Sequence, residues 1–288
     1  MYNKYFTVEV KPEIDADLLA AGALADDDVI FSWTPFEVPK GSSRLLNVTA
    51  RVASNDGTAQ HVPFQLFFAK NRVDPANGAL FNPISIGEFN TTMLSQPSVN
   101  EVLGSVKIEA IDYMCQSLVG TTTASTGNSV AANGSNIDMV LTPAGSDHAN
   151  YTLTHTIPSG DAIYSGIGQP VSITPGYDVL WVAGVACGTI QFGSTVTIDN
   201  GDGYGDGATV MHTDTKDANL VFSPGDVVQE LGGVGRANTI VGTISSIGEA
   251  STADVDITIV RPDKSFSIAD GDVLYHRNPI KLELSFER

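Results

Sequence analysis

Apolar side chains recur at every second residue along most of this chain, and that period confines it to half-buried antiparallel strands. Phe6, Val8 and Val10 alternate with Thr7 and Glu9, and Leu46, Val48, Ala50 and Val52 alternate with Asn47, Thr49 and Arg51. The pattern continues through Val106, Ile108 and Ala110, through Tyr151, Leu153 and His155, and through Ile257 and Ile259. It ends in Ile280, Leu282, Leu284 and Phe286, interleaved with Lys281, Glu283 and Ser285. Turn formers separate the segments: Asn55-Asp56-Gly57, Asn77-Gly78, Asn133-Gly134, Pro158-Ser159-Gly160, Pro175-Gly176 and Pro224-Gly225. Each supplies the positive or fixed φ that a tight reversal requires.

Helical signal is scarce. Residues Ile14 to Ala25 are Ala/Leu-rich but carry Gly22 and end in Asp26-Asp27-Asp28, which predicts a short helix or an ordered arm. Val99 to Leu103 offers a second, weaker helical turn. Thr121 to Asn136 has no large side chain and no charge, so it is expected to be a long exposed hairpin loop of the kind that meets partners. Towards the C-terminus, Pro175-Gly176-Tyr177-Asp178-Val179, Pro224-Gly225-Asp226-Val227 and Asp270-Gly271-Asp272-Val273 begin strands at similar intervals, and Gly-Thr-Ile recurs at Gly188 and Gly242. These fragments suggest a repeat.

The fold expected is all-β: an antiparallel, jelly-roll-like β-sandwich followed by a smaller β-barrel or second β-sheet domain. The division reads as an N-terminal strand or arm over 1–25, a sandwich over 26–188 and a smaller β-rich unit over 189–288. Pairing of the strand Ile280 to Phe286 with Phe6 to Val10 would instead close one fold.

Composition narrows the function. Fifteen Lys and Arg stand against 33 Asp and Glu, a formal charge of −18, which repels a phosphate backbone and an acidic membrane surface alike. Neither nucleic acid nor membrane is an expected partner. Charged residues are only 17% of the chain, so solubility rests on Gly, Ser, Thr and Asn. The first residues, MYNKYFTVEV, lack the apolar run of a secretory signal, which points to synthesis in a cytoplasm. Cys115 and Cys187 have no metal-type or redox-type spacing and read as two buried thiols; a bridge would need an oxidising compartment.

Asp199-Asn200-Gly201-Asp202-Gly203-Tyr204-Gly205-Asp206-Gly207 resembles a calcium loop, yet no frame supplies oxygen ligands at positions 1, 3, 5 and 12 with Gly at 6. A non-standard site would use Asp199, Asp202 and Asp206; the favoured reading is a solvated hairpin tip. His61, His148, His155, His212 and His276 form no pair with metal-ligand spacing. No Ser sits in a nucleophile elbow, Gly232-Gly233-Val234-Gly235 does not bridge a strand and a helix, and the acid pairs, Asp26 to Asp28 among them, are those an acidic chain contains by chance. No catalytic residue and no cofactor is assigned, and the expectation is a non-enzyme. Trp33 and Trp181 suit a core better than a carbohydrate platform.

The segment Trp33 to Val52 (WTPFEVPKGSSRLLNVTARV), with Asp56-Gly57-Thr58, Phe64 to Lys70 and the closing stretch Asp270 to Arg288, resembles virion structural proteins of tailed, especially marine, bacteriophages. The resemblance implies a protein assembled in the bacterial host cytoplasm and displayed on the particle. The acid excess places it on the outer capsid face, as a decoration or cement protein. Its partners would be the major capsid protein and copies of itself, as a homotrimer or other homo-oligomer. The alternative is a tail, baseplate or head-fibre component whose loops, Thr121 to Asn136 or Asp199 to Gly207, bind a host glycan or receptor.

Overall fold

The computed structural model describes residues 4–14, 24–53, 61, 63–71, 100–112, 129–133, 139–141, 176–190, 192, 196–205, 207–214, 218–230, 239–248, 255–260 and 267–288. Among them the fold is all-β, in antiparallel sheets. The first sheet contains β1 (Tyr5–Val10), β3 (Ser43–Val52), β6 (Ser129–Asn133), β7 (Met139–Leu141) and β14 (Ile280–Glu287), in the order β1-β14-β3-β6, with β7 also on β3. The second runs β2-β8-β4-β5, from β2 (Val29–Pro39), β8 (Tyr177–Ala186), β4 (Phe64–Asn71) and β5 (Asn100–Ile108). The third is β13 (Leu274–His276), β10 (Val227–Glu230), β11 (Thr239–Ile247), β12 (Val255–Val260) and β9 (Val210–Thr213), in that order. A one-turn helix, α1 (Ala218–Val221), precedes β10.

The first two sheets form a sandwich because their inner faces share one apolar core. Leu45, Val48, Ala50, Leu282, Leu284 and Phe286 meet Phe36, Phe64, Leu66, Phe68 and Leu180 there. Phe36 stands edge-on to Phe68 at 6.3 Å within its own sheet and reaches across to Phe286 at 6.4 Å. Each such side chain contributes about 1.5–3 kcal/mol on burial. The second sheet is apolar on its outer face as well, where Val29, Trp33, Ala69, Trp181 and Ala183 form a separate buried cluster. That is why β8 reads as a nearly continuous apolar run rather than an alternating one.

The last strand is central to the first sheet. β14 pairs residue by residue with β1, from Tyr5↔Glu287 to Val10↔Leu282, and with β3 on its other side. The segment 189–288 is therefore divided between two cores, Val196 to Leu274 supplying one and Tyr275 to Phe286 returning to the sandwich. The third sheet is open and does not close into a barrel by strand pairing. Isolated bridges, Thr197↔Val273 and Ile198↔Thr213, tie its two edge strands to one short segment instead, covering backbone groups that a bare edge would expose.

Several local expectations change. Of the expected helical turn Val99 to Leu103, residues 100–103 are strand and Val99 lies outside the described residues: Asn100–Ile108 is a strand because β4 offers it a ladder, Asn71↔Asn100 to Phe64↔Ile108. Ser129–Asn133, expected within a loop, is paired with Val48–Val52, since ladder hydrogen bonds need no large side chain. Ala110 lies beyond its strand in a 3₁₀ turn (Ala110–Asp112) and is exposed. In β3, Leu45 rather than Leu46 reaches the core, because a bulge opposite Ser285 and Phe286 shifts the alternation by one residue. Residues 15–23, the loop parts 121–128 and 134–136, and the segment with His148, Tyr151, Leu153 and His155 lie outside the described residues.

Candidate functional site

Where β13 leads into β14, the chain passes from one core to the other, and polar groups gather there. Leu274 belongs to the third-sheet core and Tyr275, next in sequence, to the sandwich core, as opposite faces of one strand require. His276, Arg277 and, on the neighbouring strand, Gln229 and Glu230 are buried with them.

A turn delivers the carboxylate. In Ser223-Pro224-Gly225-Asp226, Gly225 adopts φ +93°, Asp226 N donates to Ser223 O at 3.0 Å, and Ser223 N donates to Asp226 Oδ2 at 2.8 Å. Proline at the second position and positive φ at the third are what such a turn selects. The same reciprocal closure recurs at Ala25 to Asp28, with Asp27 at φ +71°, and at Ala269 to Asp272, with Gly271 at φ +78°. Two of the three repeated strand starts read in the sequence, at Gly225 and Gly271, are thus one physical device. The Gly-Thr-Ile pairs are not equivalent: Ile190 makes an isolated bridge to Leu24, while Gly242 to Ile244 lie inside β11.

Asp226 receives Lys281 Nζ at 2.6 Å on Oδ1. Lys281 comes from β14, where the ladder sets it directly opposite Arg51. Like charges so placed repel. Each turns to a carboxylate, Arg51 to Glu283 at 3.2 Å and Lys281 across the joint to Asp226. His276 completes the group: its Nε2 lies 2.8 Å from the Val221 carbonyl, its ring is 4.6 Å from Phe222, and its Nδ1 is 3.7 Å from Asp226 Oδ2. An imidazole nitrogen facing a carbonyl must carry the proton, so Nε2–H donates to Val221 O. Burial pushes His276 below its ordinary value; Asp226 and the Val221 carbonyl act the other way, and Lys281 adds to the lowering.

Further bonds stitch the same seam. Gln229 Nε2 donates to Ile14 O at 2.7 Å and to His276 O at 3.2 Å. Arg277 NH2 meets Glu13 Oε2 at 2.5 Å, Ile14 N donates to Arg277 O at 2.9 Å, and Arg277 N donates to Val227 O at 2.8 Å. Histidine, aspartate and lysine together are the materials of acid–base chemistry. Here the Nδ1–Oδ2 separation exceeds hydrogen-bond reach, Nε2 is committed to a carbonyl, and the His276 and Asp226 side chains are only 5% and 7% exposed. What the arrangement does is fasten two β cores together.

The other sequence candidates fall elsewhere. Asp199 and Asp202 lie in a tight loop organised by Asn200, whose Nδ2 donates to Gly203 O at 2.6 Å and whose backbone N donates to Asp270 Oδ1 at 2.9 Å. Asp206 lies outside the described residues, and among those described no three His, Cys, Asp or Glu side chains converge as metal ligands. Beside this loop, exposed His212 pairs through Nδ1 with Asp256 Oδ1, and His212 N donates to the Tyr204 hydroxyl at 2.9 Å. Trp33 and Trp181 come together on the outer face of the second sheet, buried to 2% and 8% exposure, so neither presents an open ring. Cys187 is a free, half-buried thiol that burial pushes up; Cys115 lies outside the described residues.

Sequence reasoning passed over the joint because its members are far apart in the chain and individually ordinary. The available signal was local: His276-Arg277-Asn278 is a polar run set between apolar Leu274-Tyr275 and the alternating strand that starts at Ile280. No protein-family model and no curated protein matches this chain. No helix among the described residues is long and apolar enough to cross a membrane.

Proposed function

We propose that this protein is a non-enzymatic structural component of a tailed-bacteriophage virion, a decoration or cement protein on the outer capsid face. The observation that carries the reading is the joint itself. The buried Asp226 and His276, with the partly exposed Lys281, are committed to holding two β units in one chain, as a load-transmitting protein needs. The −18 formal charge supports an outward position, away from packaged DNA, and the likeness of the segments around Trp33 and Asp270 to virion proteins supports the setting. In this role the protein self-associates, as a trimer or other homo-oligomer, and lies across the major capsid protein. It adds buried surface at capsomer contacts without chemistry.

Quantitative mass spectrometry of purified virions of the phage that encodes the chain tests this. Hundreds of copies per particle are the expected result. Tens or fewer would transfer the protein to the tail, baseplate or a head fibre, and its absence from virions would remove the virion reading altogether.

A further inference from the structure

A second proton on His276 would find no acceptor within hydrogen-bond reach while the joint is closed. Nε2–H is used by Val221 O; Nδ1 faces Asp226 Oδ2 at 3.7 Å, beyond bonding distance, and the two Asp226 oxygens already accept from Lys281 Nζ and Ser223 N. The charged groups that act on the ring are Asp226 from the turn before β10 and Lys281 from β14; Glu230 on β10 stands opposite Leu274, and Arg277, next in the chain, is paired with Glu13. α1 and the residue after it contribute only a carbonyl and the Phe222 ring. A protonated imidazole would be a buried cation drawn to Asp226 without bonding to it and repelled by Lys281; its desolvation outweighs the pull of Asp226, and opening to water is the available relief. The side-chain bonds described across the seam are polar ones, and each side keeps a core of its own: Val196 to Leu274 on one side, the sandwich residues on the other. Such a molecule can open at the seam without unfolding throughout.

We propose that this joint is an acid-operated release, in which proton uptake by His276 uncouples the third-sheet unit from the sandwich while the sandwich stays folded. The sign follows from the closed state resisting a proton that the open state accepts. Burial lowers the affinity of His276 for protons in the closed form, whereas the open form binds them near about pH 6.5. Closure is at full strength above that pH and weakens below it, by about tenfold in the opening equilibrium for each pH unit until His276 protonates in place. The proposal is independent of any role on a particle.

Hydrogen exchange on the full chain, with rates corrected for intrinsic pH dependence, tests it between about pH 7.5 and about pH 5.5. Peptides spanning Ser223–Glu230 and Leu274–Lys281 are expected to open about tenfold more often at the lower pH, while Leu45–Val52 and Phe64–Phe68 keep their protection. His276→Gln is expected to abolish that pH dependence. Protection of the joint that does not change with pH, loss of protection everywhere at once, or an unaltered response in His276→Gln would each overturn the proposal. Should the variant not fold, NMR titration of His276 in the natural chain serves instead. An imidazole that stays neutral while the joint is closed is expected; one that titrates at its ordinary value with joint protection unchanged refutes the idea.

Discussion

Single side chains show how strongly this fold depends on a few polar and small residues. Asp226 closes a turn and neutralises Lys281, whereas Asp28 makes the same turn bond to Ala25. Asp226→Ala is expected to cost about 3 kcal/mol, allowing for the partial exposure of Lys281. Asp28→Ala is expected to cost about 1 kcal/mol, and urea unfolding of the two variants compares them. Equal losses would mean that turn closure, and not the ion pair across the seam, carries the energy. Gly184 lies opposite Phe31 in the β2–β8 ladder with the Phe31 ring across it, and an added Cβ would land inside that ring. Gly184→Ala is therefore expected to destabilise by at least about 1–3 kcal/mol in the same assay. Nothing in the sequence singles out Gly184; that Phe31, distant in the chain, lies opposite it is a matter of register.

At the level of elements, alternation in the sequence was a faithful guide wherever one face meets a core and the other water. Ile280, Leu282, Leu284 and Phe286 are all buried, as are Val255, Ile257 and Ile259. It failed where the ladder is irregular, as at Leu45 and Leu46, or where pairing comes from backbone alone, as in Ser129–Asn133. β1 lies at an edge and β14 between two strands, so their removal is expected to differ sharply. A chain ending at Pro279 should not form the sandwich, because β1 and β3 then lose their common partner. A chain lacking residues 1–11 should fold with a lowered melting temperature. Circular dichroism and limited proteolysis distinguish the two outcomes. A folded sandwich in the chain ending at Pro279 would show that β14 is dispensable to the sheet.

For the whole molecule, the acid excess is a standing cost to compactness. With a formal charge of −18, raising the salt concentration from about 0.05 M to about 0.5 M is expected to raise the melting temperature, because the screening length shortens from about 14 Å to about 4 Å. A melting temperature that falls with salt would mean that ion pairs such as Arg51–Glu283 and Lys4–Glu287 outweigh the general repulsion. The sequence by itself determined the class of the fold, the positions of most strands and the sign of the surface, because period, turn chemistry and charge are local or additive properties. Only the tertiary structure decided that the first and last strands share a sheet, that residues 189–288 divide between two cores, and that Asp226, His276 and Lys281 meet. Those facts depend on which strands pair across long stretches of chain, and pairing is settled by the joint burial of many side chains rather than by any one segment.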